Sequence, residues 1–255
     1  MHDDTQEAPL AGRTALVTGA SGGIGSATAL RLAEAGARLA LAYSSHGEDA
    51  EATAAAVNSR YGAGRAAVLH ADLAEPQAAA VLSQDARRLF GSVDVLFAGA
   101  GIGARTGWRE LDTDAWDLTM AVNVRAPFQL AQAVLPDMVE RGWGRILFVS
   151  SVAALNGGII GPHYAASKAA LHGLTHSLAA SVAGDGVTVN ALAPALIGGT
   201  RILPADAGQG GKLPAPIPVG RLGEPGEVAA MAVSMLTNGY LTNKVITLDG
   251  GLYPN

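Results

Sequence analysis

The chain has 255 residues, 33 of them Gly and none Cys, with 49% hydrophobic and 15% charged side chains. Glycines without a three-residue period in so apolar a chain exclude collagen and a disordered chain, and the missing Cys excludes a disulfide scaffold and thiol catalysis. A net charge of −5 with no run of Lys or Arg excludes the basic surface of a nucleic-acid binder. No segment has the pattern of a signal peptide or a membrane span, so we predict a cytoplasmic protein with no membrane partner.

Short runs rich in Val, Leu and Ile alternate along the chain with longer Ala-rich segments of helical period. This alternation is typical of parallel strands joined by helices that cover both faces of a sheet. We therefore predict the α/β class, with one doubly wound, Rossmann-like domain over residues 1–255 and about seven parallel strands. The strands are predicted at 14–18, 38–43, 66–70, 93–97, 145–150, 188–193 and 244–247, and the helices at about 24–35, 48–61, 76–90, 114–138, 163–183 and 225–236.

The stretch from 198 to 218 has no regular pattern and is rich in Pro and Gly. Irregular segments of this length are uncommon in compact domains and often cover a functional site. We predict that it forms a substrate lid, with a passive surface loop as the alternative.

A glycine-rich loop follows the first predicted strand, in the sequence TALVTGASGGIG at 14–25. Gly19, Gly23 and Gly25 would permit a tight turn, let backbone N–H groups approach a pyrophosphate, and place it at a helix N-terminus. The same letters fit a nucleophile elbow, but only 18 residues precede Gly19, too few for the strand and loop that such an elbow needs. A P-loop is excluded because no Lys-Ser/Thr pair follows the last Gly, so we predict a dinucleotide site.

The second predicted strand ends in Tyr43-Ser44-Ser45-His46, where an NAD-preferring domain usually carries an acid that holds the ribose 2′-hydroxyl. No carboxylate stands here, and the hydroxyls of Ser44 and Ser45, with His46, would instead face a 2′-phosphate. This favours NADP(H), with NAD(H) as the alternative, because the glycine loop holds no Arg and Ser-rich strand ends are also ordinary turns.

Tyr164 and Lys168 lie four residues apart after a predicted strand that ends in Ser150-Ser151. On a helix the two side chains would project from one face. A phenol must lose about three pKa units, or about 4 kcal/mol, to exchange protons near neutrality, and one ammonium at ~4 Å in an effective dielectric of ~20 supplies about that energy. Lys168 is therefore predicted to lower the pKa of Tyr164, although such pairs on their own are usually surface pairs.

Taken together with the motifs below, the chain resembles the short-chain dehydrogenase/reductase family over nearly its whole length. In general pattern it is closest to the 3-oxoacyl-carrier-protein reductases. The matching pieces are Thr18-Gly19-x-x-x-Gly23-x-Gly25, Asp72, Asn123 in AVNV, Ser151, Tyr164-x-x-x-Lys168, Pro194 in VTVNALAP, GRLGEPGEVA at 220–229 and Leu248-Asp249-Gly250-Gly251.

The resemblance implies a catalytic set of four side chains. Tyr164 would be the general acid and base, and Lys168 would lower its pKa and hold the nicotinamide ribose. Ser151 would position the substrate carbonyl, and Asn123 would support a water relay to Lys168.

The resemblance and the loop together also imply the cofactor contacts. Asp72 and Leu73 would contact adenine, 98–101 would follow the adenine-side ribose, and 194–200 would receive the carboxamide. The full predicted set is Gly19, Ser21, Gly22, Gly23, Ile24, Gly25, Tyr43, Ser44, Ser45, Asp72, Leu73, Ala98, Gly99, Ala100, Tyr164, Lys168, Pro194, Ala195, Ile197 and Thr200.

Three positions depart from the family pattern. Residues 98–101 are Ala-Gly-Ala-Gly where the family usually has Asn-Asn-Ala-Gly, which removes a structural side-chain hydrogen bond. Ala195 stands in place of Gly after Pro194, and Thr200 falls one residue later than the usual carboxamide-binding Thr. From these departures we expect an altered cofactor affinity and an altered backbone register near the lid, while the proton-transfer set is intact.

We therefore predict NADPH-dependent reduction of a ketone or aldehyde, reversible and extending to 3-oxoacyl thioesters. The alternatives are an NAD-dependent alcohol or sugar dehydrogenase and a nucleotide-binding regulator without turnover. The partner is predicted to be a small carbonyl or alcohol substrate. The family also implies a homotetramer or homodimer, joined through 114–138, 163–183 and 240–255.

The remaining polar and aromatic candidates carry weaker signals. His172 and His176 have the spacing of a metal pair but lack the Glu of H-E-x-x-H, so we predict surface or interface histidines and no metal site. His163 would either flank the substrate or lie in a solvated loop. Trp108, Trp116 and Trp143 are scattered and are predicted to be packing residues.

Overall fold

The computed structural model describes residues 8–203 and 213–254. Seven strands form one sheet in the order β3-β2-β1-β4-β5-β6-β7, and every neighbouring pair is parallel. The predicted fold class is thereby confirmed, and four strands differ from the predicted bounds by one or two residues. The strands are β1 Thr14–Thr18, β2 Arg38–Tyr43, β3 Ala66–His70, β4 Val95–Ala98, β5 Gly144–Val149, β6 Val187–Pro194 and β7 Val245–Leu248.

Eight α-helices within the described ranges cover the two faces of the sheet. One apolar cluster packs α1, α2 and α8 on one face, and a second packs α3, α5 and α7 on the other. Burial on both faces explains why the central strands read as continuous apolar runs rather than alternating ones. The helices are α1 Gly23–Glu34, α2 Gly47–Tyr61, α3 Ala78–Phe90, α4 Thr113–Met120, α5 Ala126–Glu140, α6 Ala153–Asn156, α7 Pro162–Val182 and α8 Pro225–Thr237.

The chain is helical over the stretch predicted at 114–138, but a π-helical turn at Ala121–Arg125, which was not predicted, separates α4 from α5. The turn contains Asn123, whose side-chain amide bonds both backbone groups of Ile102. Pro127 follows in the first turn of α5, where its missing N–H costs nothing. Pro127 is thus a local sign that a new helical segment begins here.

The strand order reverses between β1 and β4, and such a switch point opens a crevice at the carboxyl ends of the strands. The loops after β1, β4, β5 and β6 all begin at this edge. The middle of the predicted lid, 204–212, lies outside the described residues. The flanking parts are irregular, with one isolated bridge between Ile197 and Gly223. No helix within the described ranges is long and apolar enough to cross a membrane.

Candidate active site

The glycine loop after β1 is shaped by contacts that only glycine permits. Gly19 has a φ of 72°, in the left-handed region. A Cβ on Gly25 would overlap the carbonyl oxygen of Gly19, and one on Gly23 would lie 2.6 Å from the carbonyl oxygen of Gly199. The absence of side chains lets α1 begin directly against the turn and leaves backbone at the floor of the crevice.

A cleft of about 670 Å³ lies beside this loop. It is lined mainly by short side chains and backbone from the loops after β1, β2, β3 and β4, and in addition by residues of α4, of the π-helical turn and of the segment after β6. Asp72 carries the cleft's one carboxylate among the described lining residues, and its Oδ1 accepts from the N–H of Ala74 at 3.0 Å. The predicted cofactor residues that line it are Gly19, Ser21, Gly22, Gly23, Ile24, Gly25, Tyr43, Ser44, Ser45, Asp72, Leu73, Gly99, Ala100 and Thr200.

A smaller cavity of about 290 Å³ adjoins the cleft and shares Ile24, Gly99, Gly101, Thr200 and Ile202 with it. Tyr164, Lys168, Pro194, Ala195 and Ile197, also predicted as cofactor contacts, line this second cavity. Ala98 lines neither cavity, because it is the last residue of β4 and is buried in the sheet.

Three of the four predicted catalytic side chains meet at the wall of the smaller cavity. Ser151, directly after β5, shares a side-chain hydrogen bond with Tyr164 in the first turn of α7. Lys168, one turn later, donates from Nζ to the carbonyl oxygen of Val149 at 2.8 Å, and Nζ lies 5.6 Å from the centroid of the Tyr164 ring. The helical spacing that the sequence indicated therefore places a hydroxyl pair and an ammonium around one space.

The electrostatics of this group differ from the sequence argument. Burial raises the pKa of Tyr164 to about 12, and the hydrogen bond with Ser151 opposes that rise only in part. Burial likewise lowers the pKa of Lys168 to about 8. The predicted lowering of the Tyr164 pKa is wrong for this structure, because desolvation of the buried phenolate dominates and the Lys168 ammonium is not among the groups that lower this pKa.

Asn123 stands apart from the other three and does not line the cavity. Its Oδ1 accepts from the N–H of Ile102 and its Nδ2 donates to the Ile102 carbonyl, both at 2.8 Å. Nδ2 also donates to Oγ of Ser167 at 3.0 Å, next to Lys168 in α7. The side chain therefore ties the loop after β4 to α7, and its part in a water relay stays a prediction.

A second tie between β5 and α7 was missed in the sequence. Oγ of Ser150 donates to the carbonyl oxygen of Lys168 at 2.9 Å and lies 2.8 Å from Nε2 of His172. Because the hydroxyl has one proton, His172 must be the donor in the second bond. Burial and His176 lower the pKa of His172. The i, i+4 spacing from Lys168 to His172 was the available signal.

The ring of Phe97 explains why position 99 holds Gly where the family usually has Asn. A Cβ on Gly99 would overlap Cε1 of Phe97 and come within 3.0 Å of the carbonyl oxygen of Thr18. Phe97 is fully buried in β4, so its ring cannot swing aside. The loop is instead held by the bond from the Ala100 N–H to Oγ1 of Thr18 at 3.1 Å. The large aromatic ring at 97 and the glycine at 99 thus form a matched pair.

The extra residue before Thr200 is absorbed by the backbone. Leu196 and Gly199 both have positive φ, at 52° and 67°. This path lets Thr200 line both cavities, with its Oγ1 donating to the carbonyl oxygen of Ile197 at 2.9 Å. The later position of the Thr in the sequence therefore does not remove it from the site.

The remaining candidates lie outside both cavities. His163 is buried rather than in a solvated loop, because α7 begins before it. Trp143 packs between Arg13 and Arg145 as predicted, but Trp108 is 70% exposed and Trp116 is also exposed, so their prediction as packing residues is wrong. Nδ1 of His176 bonds Oδ1 of Asn243. No group of three His, Asp or Glu residues converges in the part of the chain that the structure describes.

Comparison with known proteins matches residues 13–207 to the family described as short chain dehydrogenase. The 3-oxoacyl-acyl-carrier-protein reductase of Aquifex aeolicus is 33% identical over 97% of this chain and 100% of its own length. The L-rhamnose 1-dehydrogenase (NAD(P)(+)) of a Sphingomonas species is 34% identical over 96% of this chain and 98% of its own. A blue fluorescent protein from a metagenomic library, solved in complex with NADPH, is 34% identical and superposes with a TM-score of 0.88 over 96% of this chain and 100% of its own.

Proposed function

The chain belongs to the short-chain dehydrogenase family, a family of oxidoreductases that act on CH–OH and C=O groups, and we propose that it uses NADPH to reduce a ketone or aldehyde to an alcohol. One observation carries this proposal. Ser151, Tyr164 and Lys168 line a cavity that opens into the cleft beside the glycine loop. A carbonyl placed against the two hydroxyls would therefore lie beside any dinucleotide held in the cleft.

The residues of the cleft fit a dinucleotide. Gly19 and Gly25 leave bare backbone at the start of α1, where a side chain would overlap its neighbours. Such a turn at a helix N-terminus suits a pyrophosphate. Tyr43, Ser44 and Ser45 would hold the adenosine ribose, and Asp72 and Leu73 the adenine. The bound nicotinamide supplies the hydride, and this chain supplies orientation and the proton.

Proton transfer in this proposal belongs to Tyr164. Its pKa of about 12 keeps the phenol protonated at neutral pH, which is the state that donates to a developing alkoxide. The hydroxyl of Ser151 shares a hydrogen bond with that phenol and would donate to the same substrate oxygen. The ammonium of Lys168 would stabilise the phenolate after the proton has left, because little water reaches this buried group.

The lining of the smaller cavity favours an apolar substrate. Aliphatic side chains from three segments surround it, including Val152, Ile160 and Ile202. Among its described lining residues, Lys168 is the sole charged side chain, and its ammonium already bonds the carbonyl of Val149. A short 3-oxoacyl thioester places its ketone and alkyl end in such a space. A sugar, which is the substrate in the name of the Sphingomonas relative, would leave several hydroxyls without partners.

The test is to mix the protein with NADPH and follow loss of the reduced nicotinamide absorbance with a panel of carbonyls. We expect turnover with acetoacetyl thioesters and apolar ketones. The reverse assay, with NAD or NADP and L-rhamnose, examines the sugar dehydrogenase alternative. Dinucleotide binding without turnover in either assay would instead support a non-catalytic regulator.

Three further features belong to the same proposal. The segment at about 198–218 acts as the substrate lid, since its described ends line the smaller cavity at Thr200 and Ala215.

The protein assembles as a homotetramer or homodimer, supported by exposed Trp116, Leu118 and Phe128 on α4 and α5. Size-exclusion chromatography with light scattering tests the assembly. A cytoplasmic location stays a prediction.

A further inference from the structure

Arg201 lines the larger cleft but not the smaller cavity that holds the catalytic side chains. It belongs to the irregular segment after β6 and lines the cleft together with Ser44 and Ser45. Its Nη2 donates to Oδ2 of Asp49 in the first turn of α2, at 2.6 Å. The bond crosses from the segment after β6 to the helix that begins two residues after Ser45. The guanidinium therefore lies next to the loop where β2 ends.

The loop after β2 is where NADPH and NADH differ. In doubly wound domains the residues that follow the second strand receive the adenosine ribose, and a nearby Arg accommodates the 2′-phosphate of NADP(H). Tyr43, Ser44 and Ser45 provide neither an Arg nor an acid. Among the described residues that line the cleft, Arg201 is the only Lys or Arg. A 2′-phosphate, with almost two negative charges, would therefore meet no other Lys or Arg among the described residues of this wall.

We propose that Arg201 binds the 2′-phosphate and thereby sets the preference for NADPH over NADH. This inference rests on the proposed use of NADPH. The guanidinium fork matches phosphate oxygens bidentately, and the hydroxyls of Ser44 and Ser45 complete the set of donors. Asp49 holds the guanidinium at the mouth of the cleft until the phosphate displaces it. Both partners of this pair are exposed, at 46% and 59% of the side chain, so breaking it costs little.

Direct titration of both dinucleotides tests the inference without relying on turnover. The dissociation constants of NADPH and NADH are measured by nicotinamide fluorescence for the parent chain, Arg201→Gln, Arg201→Lys and Asp49→Asn. Arg201→Gln should weaken NADPH binding about tenfold and leave NADH binding unchanged. Arg201→Lys should retain part of the NADPH affinity that Arg201→Gln loses. Asp49→Asn should tighten NADPH about two- to fivefold, because it frees the guanidinium from an exposed pair. In the double variant Arg201→Gln/Asp49→Asn, the gain in NADPH affinity should disappear.

Arg221→Gln is the matched control. Arg221 is also an exposed arginine in an irregular segment, paired with Glu227 at 2.6 Å, but it does not line the cleft. Its loss should leave both dissociation constants unchanged. Raising the salt concentration should narrow the difference between the NADPH and NADH dissociation constants in the parent chain but not in Arg201→Gln.

Two results would overturn the inference alone. An unchanged ratio of NADPH to NADH affinity in Arg201→Gln would remove Arg201 from the 2′-phosphate, and an equal loss for both dinucleotides would place it on the shared pyrophosphate. A parent chain that binds neither dinucleotide would overturn the proposed function as well.

Discussion

The two adjoining cavities at the carboxyl edge of the sheet are made from different kinds of atoms. The larger cleft is walled mainly by backbone and by Gly, Ala and Ser residues of the loops after β1, β2, β3 and β4, with a few larger side chains such as Tyr43 and Arg201. The smaller cavity is walled by buried hydroxyls, one ammonium and aliphatic side chains that come from distant parts of the chain. The difference separates two tasks, since a bare backbone suits a large phosphate-bearing ligand and fixed side chains suit proton transfer.

Removing the Tyr164 phenol should distinguish the tasks of the two cavities most clearly, because it should affect proton transfer and not dinucleotide binding. Tyr164→Phe should lower kcat for carbonyl reduction about a thousandfold, because the proton donor is lost, while the NADPH dissociation constant changes little. Tyr240→Phe, at a tyrosine that is 98% exposed, is the control and should keep full activity. Steady-state kinetics with fluorescence titration make the measurement. A Tyr164→Phe variant that reduces substrate as fast as the parent would refute the proposed proton donor.

The pH dependence should show the buried ammonium acting in opposite directions on activity and stability. The pKa of Lys168 is lowered from 10.5 to about 8 by burial. Above pH 8 its charge is lost, so kcat/KM for NADPH should fall about tenfold per pH unit. The folded chain then holds fewer protons than the unfolded one between pH 8 and 10.5, so this group's contribution to stability rises over that window and is lost as the pH falls through about 8.

Urea unfolding at several pH values measures that second effect. The parent should gain stability between pH 8 and 10.5 relative to Lys168→Met, which has no proton to release at this position. If the free energy of unfolding changes with pH in the same way for the two proteins, the Lys168 ammonium is not desolvated as the structure implies.

Adding one methyl group at Gly25 tests whether the larger cleft requires bare backbone at this position. Gly25→Ala should destabilise the chain by about 3 kcal/mol and weaken NADPH and NADH together, because the Cβ would overlap the Gly19 carbonyl. Gly173→Ala is the matched control within α7, where a Cβ meets nothing within 4 Å. It should stabilise the chain by about 1 kcal/mol. Thermal unfolding with and without NADPH compares them, and equal effects would contradict the close packing at Gly25.

The smallest expected effect concerns the pair of Phe97 and Gly99. Gly99→Ala should cost about 1–2 kcal/mol by overpacking, since the added Cβ would overlap the Phe97 ring. Phe97→Leu/Gly99→Ala should recover part of that loss in urea unfolding, because the ring is gone. If the two changes are additive, the ring and the glycine are not coupled.

The sequence by itself determined the fold class, the glycine loop and the Tyr164/Lys168 spacing. These features are local, because apolar periodicity, glycine at a tight turn and a four-residue helical interval each leave their mark within a short stretch of chain. The same reasoning placed β1, β2 and β3 at their observed bounds.

Tertiary structure decided what depends on residues that are far apart in the chain. The π-helical turn at Asn123 is held by Ile102, 21 residues away, and Gly99 is fixed by a neighbouring ring whose orientation no motif records. The pKa of Tyr164 followed burial rather than the charge of Lys168, because desolvation is set by the packing around the whole group. Arg201 meets Asp49 across 152 residues, and only the folded chain, in which the segment after β6 reaches the start of α2, brings that charge to the cleft.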